Sequence, residues 1–411
     1  MAGIRIIAPE HPFRGIVQLP LSKSESTRAL AMHYLSRGAV IPSGLSPSSD
    51  VAFLQEITLI LSSQTGGMLY AGDGGAVARF ALPLAALTPG RWILDGTPRL
   101  RERPMAPLAQ ALAQLGVDVG YDGIPGHLPI RLQGGTLRGG AITLDGSGSS
   151  QFASALVLAA PRLPGGLSLE LTGRLVSLPY LDLSLDMLRR LGMRAEREGA
   201  RVSIAPQPYP AGRLNISPDW SAAAFPYALV ALRPGSSLDL PGLSTDSLQG
   251  DRLTAALFEP LGVKTLRTSE GIRLEHHRIP TNHPLDADLG GTPDLLPALA
   301  VTAALRGQAM HFRGIAHLRD KESDRISAVQ ALLQQCGCAS KAGPDWLEVT
   351  GQGLPAQAGP LDPQNDHRLA MAFSLMALAS PITLKDPSCT GKSWPQWWEV
   401  LRGLGFRIFT E

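Results

Sequence analysis

The chain has 411 residues, of which 44% are hydrophobic and 18% charged, and its formal net charge is +2. This near-balance excludes the basic field of a general nucleic-acid-binding protein, so the charges that matter must be local. The three cysteines lack paired Cys/His spacing, which favours a reduced, cytosolic protein over a disulfide framework or a zinc site. The N-terminal segment lacks a signal core and no apolar run reaches about 18 residues, so we expect a soluble protein without a membrane span.

One pattern recurs six times along the chain: a short polar segment followed at once by an Ala/Leu-rich helix. The six segments are SKSESTRALAMHYL, GDGGAVARFALPLAAL, GSGSSQFASALVLAA, SPDWSAAAFPYALVAL, DLGGTPDLLPALAVTAAL and QNDHRLAMAFSLMAL. Their markers Lys23, Gly74, Ser149, Asp219, Gly291 and Asp366 are separated by 51, 75, 70, 72 and 75 residues. Such self-similarity indicates a repeated structural unit.

A second, amphipathic helix is predicted in each unit, as in MAPLAQALAQLG, YLDLSLDMLRRLG and RISAVQALLQQCG. Glycine often follows the last residue of a helix, so the pattern predicts helix ends at Gly66, Gly116, Gly192, Gly262, Gly337 and Gly405. Alternating segments predict strands between the helices: WILDG, IRLQG, AITLDG, LSLEL, RVSIA, SLDLP and IRLEH. The predicted fold is α/β, with two similar domains that each contain three units of two helices and several strands.

The polar lead-ins have a chemical meaning, because the start of a helix offers free N–H groups and the positive end of the helix dipole to an anion. LPLSKSESTR adds Lys23, Ser24 and Arg28 to one such start, and GSGSSQ adds hydroxyl groups to another. Asp219 is explained more simply as an ordinary N-cap. Two domains with these starts facing one cleft would form a trap for anions.

Other motifs concentrate charge. RLRERP (99–104) puts three arginines on a predicted loop, and NDHR and GKSWP contribute Arg368 and Lys392. DKESDR (320–325) is predicted to open a helix on which Lys321 and Arg325 share a face. Taken alone, RLRERP and DKESDR are equally compatible with a solvated surface. The sequence contains neither a complete P-loop around GKS nor a GxSxG motif for nucleophilic catalysis.

Taken together, the motifs resemble those of the 5-enolpyruvylshikimate-3-phosphate synthase family. They occur in this order between residues 19 and 395: LPLSKSESTRAL, GDGGAVAR, LRERPMAPL, DGSGSSQF, VSLPYLDLSLDML, PDLLPALAVTAAL, RDKESDRI, NDHRLAMAFSL and DPSCTGKSWP. The resemblance implies the enolpyruvyl transferase fold. Residues 21–218 would form the domain that binds shikimate 3-phosphate, residues 1–20 plus 219–411 the second domain, and the cleft between them the active site.

The resemblance also implies the reaction. The family transfers the enolpyruvyl group of phosphoenolpyruvate to the 5-hydroxyl of shikimate 3-phosphate and releases phosphate, in the pathway to chorismate and the aromatic amino acids. No metal or organic cofactor is implied, and the expected partners are the two small substrates, without nucleic acid or membrane. The resemblance favours a cytoplasmic monomer.

The resemblance assigns the binding residues motif by motif. For shikimate 3-phosphate they are Lys23, Ser24, Arg28, Ser149, Ser150, Gln151, Ser177, Tyr180, Asp294, His317 and Lys321. For phosphoenolpyruvate they are Lys23, Asp73, Gly75, Arg103, Gln151, Arg325, Arg368 and Lys392. Guanidinium groups suit carboxylates and phosphates because they bind them in bidentate fashion. Gly75 is expected to let the backbone approach the phosphate closely.

Addition followed by elimination requires a base for the 5-hydroxyl and an acid for the methylene carbon of phosphoenolpyruvate. The carboxylates that match the family motifs are Asp294, expected to be the base, and Glu322, expected to handle the methylene proton together with Lys23. The surrounding cations would stabilise the tetrahedral intermediate and the leaving phosphate.

The chain departs from the usual family pattern at Asp73, Ala76, Phe80 and His317. Asp73 replaces a neutral amide, so we expect its charge to oppose phosphoenolpyruvate. Ala76 removes a hydroxyl, Phe80 replaces a common proline, and His317 replaces a common asparagine. Two other functions remain as alternatives. One is the sister transferase acting on UDP-N-acetylglucosamine, whose reactive loop would fall on Arg99–Met105, where this chain has no cysteine. The other is a non-catalytic, anion-binding paralogue.

Overall fold

The computed structural model describes residues 3–277, 283–350 and 359–411. The chain divides into two compact units. The first unit is Leu21–Ile216, and the second unit is Met1–Pro20 together with Ser217–Glu411. The first strand of the chain therefore belongs to the same unit as the last one.

Thirteen α-helices lie in the described residues. They are α1 Lys23–Leu35, α2 Ser49–Ser63, α3 Gly75–Leu87, α4 Pro98–Arg101, α5 Ala106–Gln114, α6 Ser150–Ala159, α7 Leu178–Arg190, α8 Trp220–Leu232, α9 Thr254–Phe258, α10 Leu296–Arg306, α11 Arg325–Gln335, α12 His367–Ser374 and α13 Trp397–Gly403. Across these described ranges, every helix is too short or too polar to cross a membrane.

The described strands number twenty-one. They are β1 Ile4–Ile7, β2 Arg14–Ile16, β3 Val40–Ser43, β4 Gly66–Tyr70, β5 Gly90–Asp95, β6 Asp118–Tyr121, β7 Ile130–Gly134, β8 Gly140–Asp145, β9 Leu167–Thr172, β10 Glu196–Glu198, β11 Arg201–Ile204, β12 Gly212–Asn215, β13 Ser237–Pro241, β14 Val263–Arg267, β15 Gly271–His276, β16 Leu285–Asp288, β17 Met310–Arg313, β18 Ser340–Ala342, β19 Trp346–Val349, β20 Ile382–Leu384 and β21 Arg407–Thr410.

These strands form six small sheets within the described ranges, three in each unit. The first unit has the orders β4-β5-β7-β6, β10-β11-β9-β8 and β12-β3, and the second unit has β14-β15-β13-β2, β16-β17-β19-β18 and β20-β1-β21. Each four-stranded sheet combines one parallel pair, such as β4 with β5, with antiparallel neighbours. The predicted α/β fold with three repeated units per half is confirmed, although two of the six sheets have only two or three strands.

The helices divide into an inner and an outer set. The inner helices follow the six polar lead-ins, and α1, α3 and α6 pack on one another while α10 packs on both α8 and α12. Helix α8 is buried along twelve of its thirteen residues, because it is apolar all round. The outer helices, such as α7, bury one apolar face and expose the other. The inner helices thus form each core, and their N-terminal ends carry the polar motifs.

The predicted strands and outer helices are confirmed, with one error at a helix end. Glycines in the left-handed region follow the outer helices at five of the six predicted positions, Gly116, Gly192, Gly262, Gly337 and Gly405. Helix α2 instead ends at Ser63, and Gly66 is the first residue of β4. A Cβ on Gly66 would lie 2.8 Å from the carbonyl oxygen of Arg91 in the neighbouring strand, so this glycine serves sheet pairing.

Candidate active site

The N-terminal end of α1 carries the first predicted binding motif. Ser22 is the N-cap and accepts a hydrogen bond from the backbone N–H of Glu25. Lys23, the first residue of the helix, donates to Asp50 at 3.0 Å, and the two side chains are 14% and 7% exposed. This ion pair holds the ammonium group at the start of the helix.

Arg28 lies one turn further along α1 and is 2% exposed. Its guanidinium donates to the hydroxyls of Ser184 (2.7 Å) and Ser154 (3.3 Å) and to the carbonyls of Ser24 (2.8 Å) and Tyr180 (2.8 Å). All of these acceptors are neutral, and burial lowers the pKa of Arg28 to about 10. The group therefore stays cationic at neutral pH and its charge is not cancelled by a direct ion pair in the described chain.

The start of α3 brings Asp73, Gly75 and Arg103 together. Arg103 is 3% exposed, and its Nη1 lies 3.5 Å from the backbone carbonyl oxygen of Asp73. A Cβ on Gly75 would lie 2.5 Å from Nη2 of Arg103. In this structure the glycine therefore makes room for the guanidinium, in addition to the close approach of phosphate expected from the sequence. The carboxylate of Asp73 accepts a hydrogen bond from the hydroxyl of Thr97.

The RLRERP motif is only partly a loop, since Pro98–Arg101 forms the short helix α4. Its three arginines have different surroundings. Arg101 makes a bidentate pair with Asp95 at 2.8 and 2.6 Å, and Arg99 pairs with Glu102 at 2.8 Å. Arg103 alone is buried and directed to the start of α3.

The hydroxyl-rich motif starts α6. Ser149 is the N-cap, accepts from the backbone N–H of Gln151, and is 6% exposed, as is Ser150. Arg79 on α3 donates to the side-chain oxygen of Gln151 at 2.6 Å and to the hydroxyl of Ser149 at 3.5 Å. Its guanidinium also lies 4.7 Å from the centre of the Phe152 ring. A buried cation thus lies directly beside the hydroxyls predicted to hold a phosphate.

Ser177 and Tyr180 begin α7. Ser177 is 5% exposed and has the left-handed backbone conformation (φ 54°), which is uncommon for a residue with a side chain. The backbone carbonyl of Tyr180 accepts from Arg28, which links this helix to α1. The starts of α1, α3, α6 and α7 therefore supply one set of cations and hydroxyls in the first unit.

Phe80 has a structural role in this set. It is 2% exposed, and the guanidinium of Arg28 lies 5.3 Å from the centre of its ring. An aromatic face stabilises a nearby cation, the more so where water is excluded. Phe80, which stands where the family commonly has proline, therefore stabilises the cationic side chain of Arg28.

The second unit contains a different arrangement, centred on Arg325. This side chain is 1% exposed and binds three carboxylates: Asp366 (2.8 Å), Asp294 (2.7 Å) and Glu322 (2.8 Å). Asp366 is fully buried and also accepts from the Ser323 hydroxyl at 3.1 Å. The carboxylates of Asp366, Glu322 and Asp294 together outweigh the effect of burial and hold the pKa of Arg325 above its usual value.

Asp294 is shared between two arginines. Arg325 donates to one carboxylate oxygen at 2.7 Å, and Arg368 donates to the other at 2.6 Å. Burial opposes the ionised form, but Arg368, Arg325 and Lys321 outweigh burial and hold the pKa of Asp294 well below its usual range. Asp294 is therefore an ionised carboxylate that is a weak base in this arrangement.

The pKa of a second buried carboxylate is shifted in the opposite direction. Asp251 is 2% exposed and accepts a hydrogen bond from the Ser221 hydroxyl. Burial and the negative charge of Asp294 raise the pKa of Asp251 to about 7, although Ser221 and Arg368 oppose this. The two carboxylates thus differ because positive charges outweigh burial at Asp294, whereas burial and the negative charge of Asp294 prevail at Asp251.

The remaining predicted residues of this unit lie around the arginine cluster. Lys392 donates to the backbone carbonyl of Asn365 at 2.7 Å, next to Asp366 in the chain. His317 is 4% exposed in a short 3₁₀ turn. The predicted helical face of Lys321 and Arg325 is wrong, because Asp324 caps α11 and the helix starts at Arg325. Lys321 instead lies in the segment before the helix, where its charge acts on Asp294.

The chain was compared with known proteins. The family model described as EPSP synthase (3-phosphoshikimate 1-carboxyvinyltransferase) matches residues 55–401. A 3-phosphoshikimate 1-carboxyvinyltransferase of Bacteroides fragilis is 36% identical over 407 residues, which cover 98% of each chain. The enzyme of the same name from Syntrophobacter fumaroxidans is 36% identical over 345 residues, covering 83% of this chain and 81% of that one.

The chain belongs to the EPSP synthase family. Solved structures support the fold: EPSP synthase from Acinetobacter baumannii has a TM-score of 0.79 at 22% identity, with both chains covered completely. The enolpyruvyl transferase NikO from Streptomyces tendae has a TM-score of 0.74 at 17% identity, covering 100% of this chain and 99% of that one. The family resemblance and the enolpyruvyl transferase fold expected from the sequence are confirmed.

Several residues of this EPSP synthase family member were missing from the set of site residues predicted from sequence. They are Asp50, Arg79, Asp251 and Asp366. Arg79 is one of the cations that the motifs supply, although no substrate was assigned to it, and it lies four residues after Gly75 on the same face of the helix. The other three are carboxylates that act on distant partners. Lys23 and Asp50 are 27 residues apart, and Arg325 and Asp366 are 41 apart, so the sequence offers no local signal for either pair.

Proposed function

We infer that this chain is a 3-phosphoshikimate 1-carboxyvinyltransferase of the shikimate pathway. It transfers the enolpyruvyl group of phosphoenolpyruvate to the 5-hydroxyl of shikimate 3-phosphate and releases phosphate. Membership of the EPSP synthase family supports this reaction. The observation that carries its chemistry is the buried Arg325, which holds Asp294 and Glu322 on one guanidinium.

In this proposal the first unit binds shikimate 3-phosphate through the starts of its helices. Ser149, Ser150 and Ser177 take the phosphate, supported by the nearby guanidinium of Arg79. Arg28 and Ser24 take the carboxylate, because Arg28 is a buried cation whose acceptors are all neutral. Hydroxyls and guanidinium groups are the usual protein partners of such anions.

Gln151 and Tyr180 would contact the carbocyclic ring of bound shikimate 3-phosphate. The amide of Gln151 is fixed by Arg79 at 2.6 Å, which leaves its orientation defined before any ligand arrives. His317 and Lys321 would complete the binding of shikimate 3-phosphate from the second unit.

Phosphoenolpyruvate would be held by cations: Lys23, Arg103, Arg325, Arg368 and Lys392. Arg103 lies against Gly75 at the start of α3, where backbone N–H groups also face an anion. Asp73 and Gln151 belong to the same proposed subsite. The charge on Asp73 competes with the substrate for the neighbouring guanidinium.

The proposed reaction has two steps, an addition and an elimination. In the addition, Asp294 takes the hydroxyl proton as the oxygen bonds to C2 of phosphoenolpyruvate, and C3 receives a proton from Glu322, which enters this step in its acid form and is assisted by Lys23. In the elimination, C3 returns a proton to Glu322, the bond from C2 to the phosphate oxygen breaks, and the double bond forms again. The proton on Asp294 leaves with phosphate or water.

The ion pairs of Asp294 allow its pKa, and so its strength as a base, to change when substrate binds. While Arg325 and Arg368 both hold it, its pKa is low and it is a weak proton acceptor. Phosphoenolpyruvate brings a carboxylate and a phosphate that compete for the same two guanidinium groups. Any loosening of the ion pairs raises the pKa of Asp294, so binding of this substrate strengthens the base that the reaction needs.

The test is phosphate release from phosphoenolpyruvate by the full chain, with each substrate omitted in turn. We expect release only when shikimate 3-phosphate and phosphoenolpyruvate are both present, with loss of release in Asp294→Asn. Release with UDP-N-acetylglucosamine in place of shikimate 3-phosphate would favour the sister transferase instead. Absence of release in all mixtures, with both substrates binding, would favour the non-catalytic paralogue.

The proposal places the reaction in the cytoplasm and in a single copy of the chain. The three cysteines are free and buried, in keeping with a reducing compartment.

A further inference from the structure

The first unit contains a cavity that the proposed reaction does not use. It has a volume of about 1000 Å³ and lies where α1 and α3 end, with residues of α2 along one side. The polar motifs lie at the opposite ends of the same helices. Thirteen residues of α1 span about 20 Å at a rise of 1.5 Å per residue, so Leu35, which lines the cavity at the end of the helix, lies roughly that length from Lys23.

The cavity is apolar over much of its lining. Leu30 on α1, Leu87 on α3, Leu45 and Leu59 contribute to it. Leu59 is 68% exposed, although leucine is usually buried in a chain of this size. A ligand that covered this side chain would gain roughly 25 cal/mol for each Å² of apolar surface removed from water.

The charged groups of the lining are all of one sign. Arg37, in the turn after α1, and Arg162, in the turn after α6, both line the cavity. Both arginines are exposed, and in the described chain neither forms an ion pair with a carboxylate. Asp and Glu are absent from the described lining residues. The electrostatic complement of such a lining is an anion.

The carbonyl groups at the end of α1 do not oppose an anion as strongly as a bare helix end would. The backbone N–H of Ser36 donates to the carbonyl of Met32 at 2.8 Å, and that of Gly38 donates to the carbonyl of His33 at 2.9 Å. These bonds satisfy carbonyls that would otherwise face the cavity. At the end of α3 the Thr88 hydroxyl likewise donates to the carbonyl of Leu84 at 2.7 Å.

We propose that this cavity is a second binding site, which takes a small apolar carboxylate: a hydrophobic ring or chain on the leucines and one carboxylate on Arg37 and Arg162. The volume is at the upper end of the range of about 300–1000 Å³ for small-molecule sites, which favours a small ligand over a protein partner. The site does not depend on the proposed catalytic function, because its lining residues are separate from the catalytic and substrate-binding side chains.

The test uses 3-phenylpropionate as the probe and its uncharged amide as the control ligand, with binding measured by calorimetry on the full chain. The measurement is made with saturating shikimate 3-phosphate and inorganic phosphate, so that the substrate-binding cations are occupied. We expect saturable binding of the acid, with the amide at least about fivefold weaker. The double variant Arg37→Gln/Arg162→Gln should bind the acid with an affinity about tenfold or more lower than the parent's, and it should bind the acid and the amide with equal affinity.

The matched control is Arg190→Gln, an exposed arginine at the end of α7 that does not line the cavity. It should bind the acid as the parent does. Leu59→Ser should lower the affinity for the acid and for the amide by similar factors, since it removes apolar contact and leaves the cations in place. Absence of saturable binding, equal binding of acid and amide by the parent, or an unchanged affinity in the double variant would each overturn the proposal. The turnover of the double variant should equal that of the parent.

Discussion

Arg28 in the first unit and Arg325 in the second are both almost completely buried, yet they are accommodated in opposite ways. Arg28 donates only to neutral hydroxyls and carbonyls, and burial lowers its pKa to about 10. Arg325 is enclosed by three carboxylates that raise its pKa. The first arrangement leaves a positive charge ready for an anion, whereas the second is already neutralised. An anion that binds the second arrangement must displace a carboxylate, and this is how binding can be coupled to base strength.

We expect that removing Arg325 lowers the unfolding free energy and the turnover more than removing Arg28 does. In Arg325→Gln, three carboxylates lose their shared cation in a buried site, which costs about 3–5 kcal/mol of unfolding free energy. Turnover should fall by at least about 10³-fold, because Asp294 and Glu322 both lose their positions. Urea unfolding and initial-rate measurements give the two quantities.

The matched substitution is Arg28→Gln, which leaves only neutral acceptors behind. Its unfolding free energy should fall by about 1–3 kcal/mol, and its main kinetic effect should be a higher KM for shikimate 3-phosphate. Equal losses of stability in the two variants would show that the carboxylates around Arg325 do not depend on it. Adding Asp366→Asn to Arg325→Gln should recover part of the lost stability.

Glu322 tests whether the arginine cluster serves chemistry as well as stability. In Glu322→Gln, the amide oxygen can still accept from Arg325, but the side chain can no longer exchange a proton. We expect kcat to fall by about 10²-fold or more, with an unfolding free energy close to that of the parent. Turnover within a few-fold of the parent would remove Glu322 from the mechanism.

The two regions also differ in how much of them the sequence could predict. The first unit's site follows from helix starts, because Ser22 and Ser149 are N-caps whose neighbours in the chain are the binding residues. The second unit's site depends on Arg325 meeting Asp366 and Asp294, which are 41 and 31 residues away. Packing of the inner helices α10 and α12 with the outer helix α11 brings these groups together, and periodicity alone does not encode which helices meet.

The error at DKESDR has a local cause. Alternating charges at i and i+4 favour a helix, but the side chain of Asp324 accepts from the backbone N–H of Ser327 and so caps the helix one residue before Arg325. A capping residue competes with helix continuation for the same N–H groups. The capping signal is therefore local to the sequence, since Asp324 lies three residues before Ser327.

A substitution at Asp73 tests whether a negative charge at this position of the first unit weakens the binding of phosphoenolpyruvate. Asp73→Asn removes the negative charge of the residue whose backbone carbonyl lies 3.5 Å from Arg103, and it keeps a side-chain oxygen that can accept from Thr97. We expect the KM for phosphoenolpyruvate to fall by a few-fold, with little change in the KM for shikimate 3-phosphate. Steady-state kinetics with each substrate varied in turn gives both values. An unchanged or higher KM for phosphoenolpyruvate would refute the repulsion.

The smallest expected effect concerns Asp251, the buried carboxylate that accepts a hydrogen bond from the Ser221 hydroxyl. Its pKa of about 7 lies above the usual value near 4, so between these pH values the folded protein holds a proton that the unfolded chain releases. Stability from this group is therefore greatest at acidic pH and is lost as the pH rises towards 7. Asp294 has a lowered pKa, so its ion pairs contribute fully above about pH 4 and do not change in this window.

Asp251→Asn removes this titration and keeps an oxygen for the Ser221 hydroxyl. The charged groups that act on it, Asp294, Arg368 and Asp219, remain in place. The melting temperature of the parent should fall by a few degrees more between pH 5 and pH 8 than that of the variant, as thermal unfolding at several pH values would measure. Parallel curves for the two proteins would mean that Asp251 is already ionised in the folded state. The buried site would then contain a second charge that Arg368, rather than a proton, compensates.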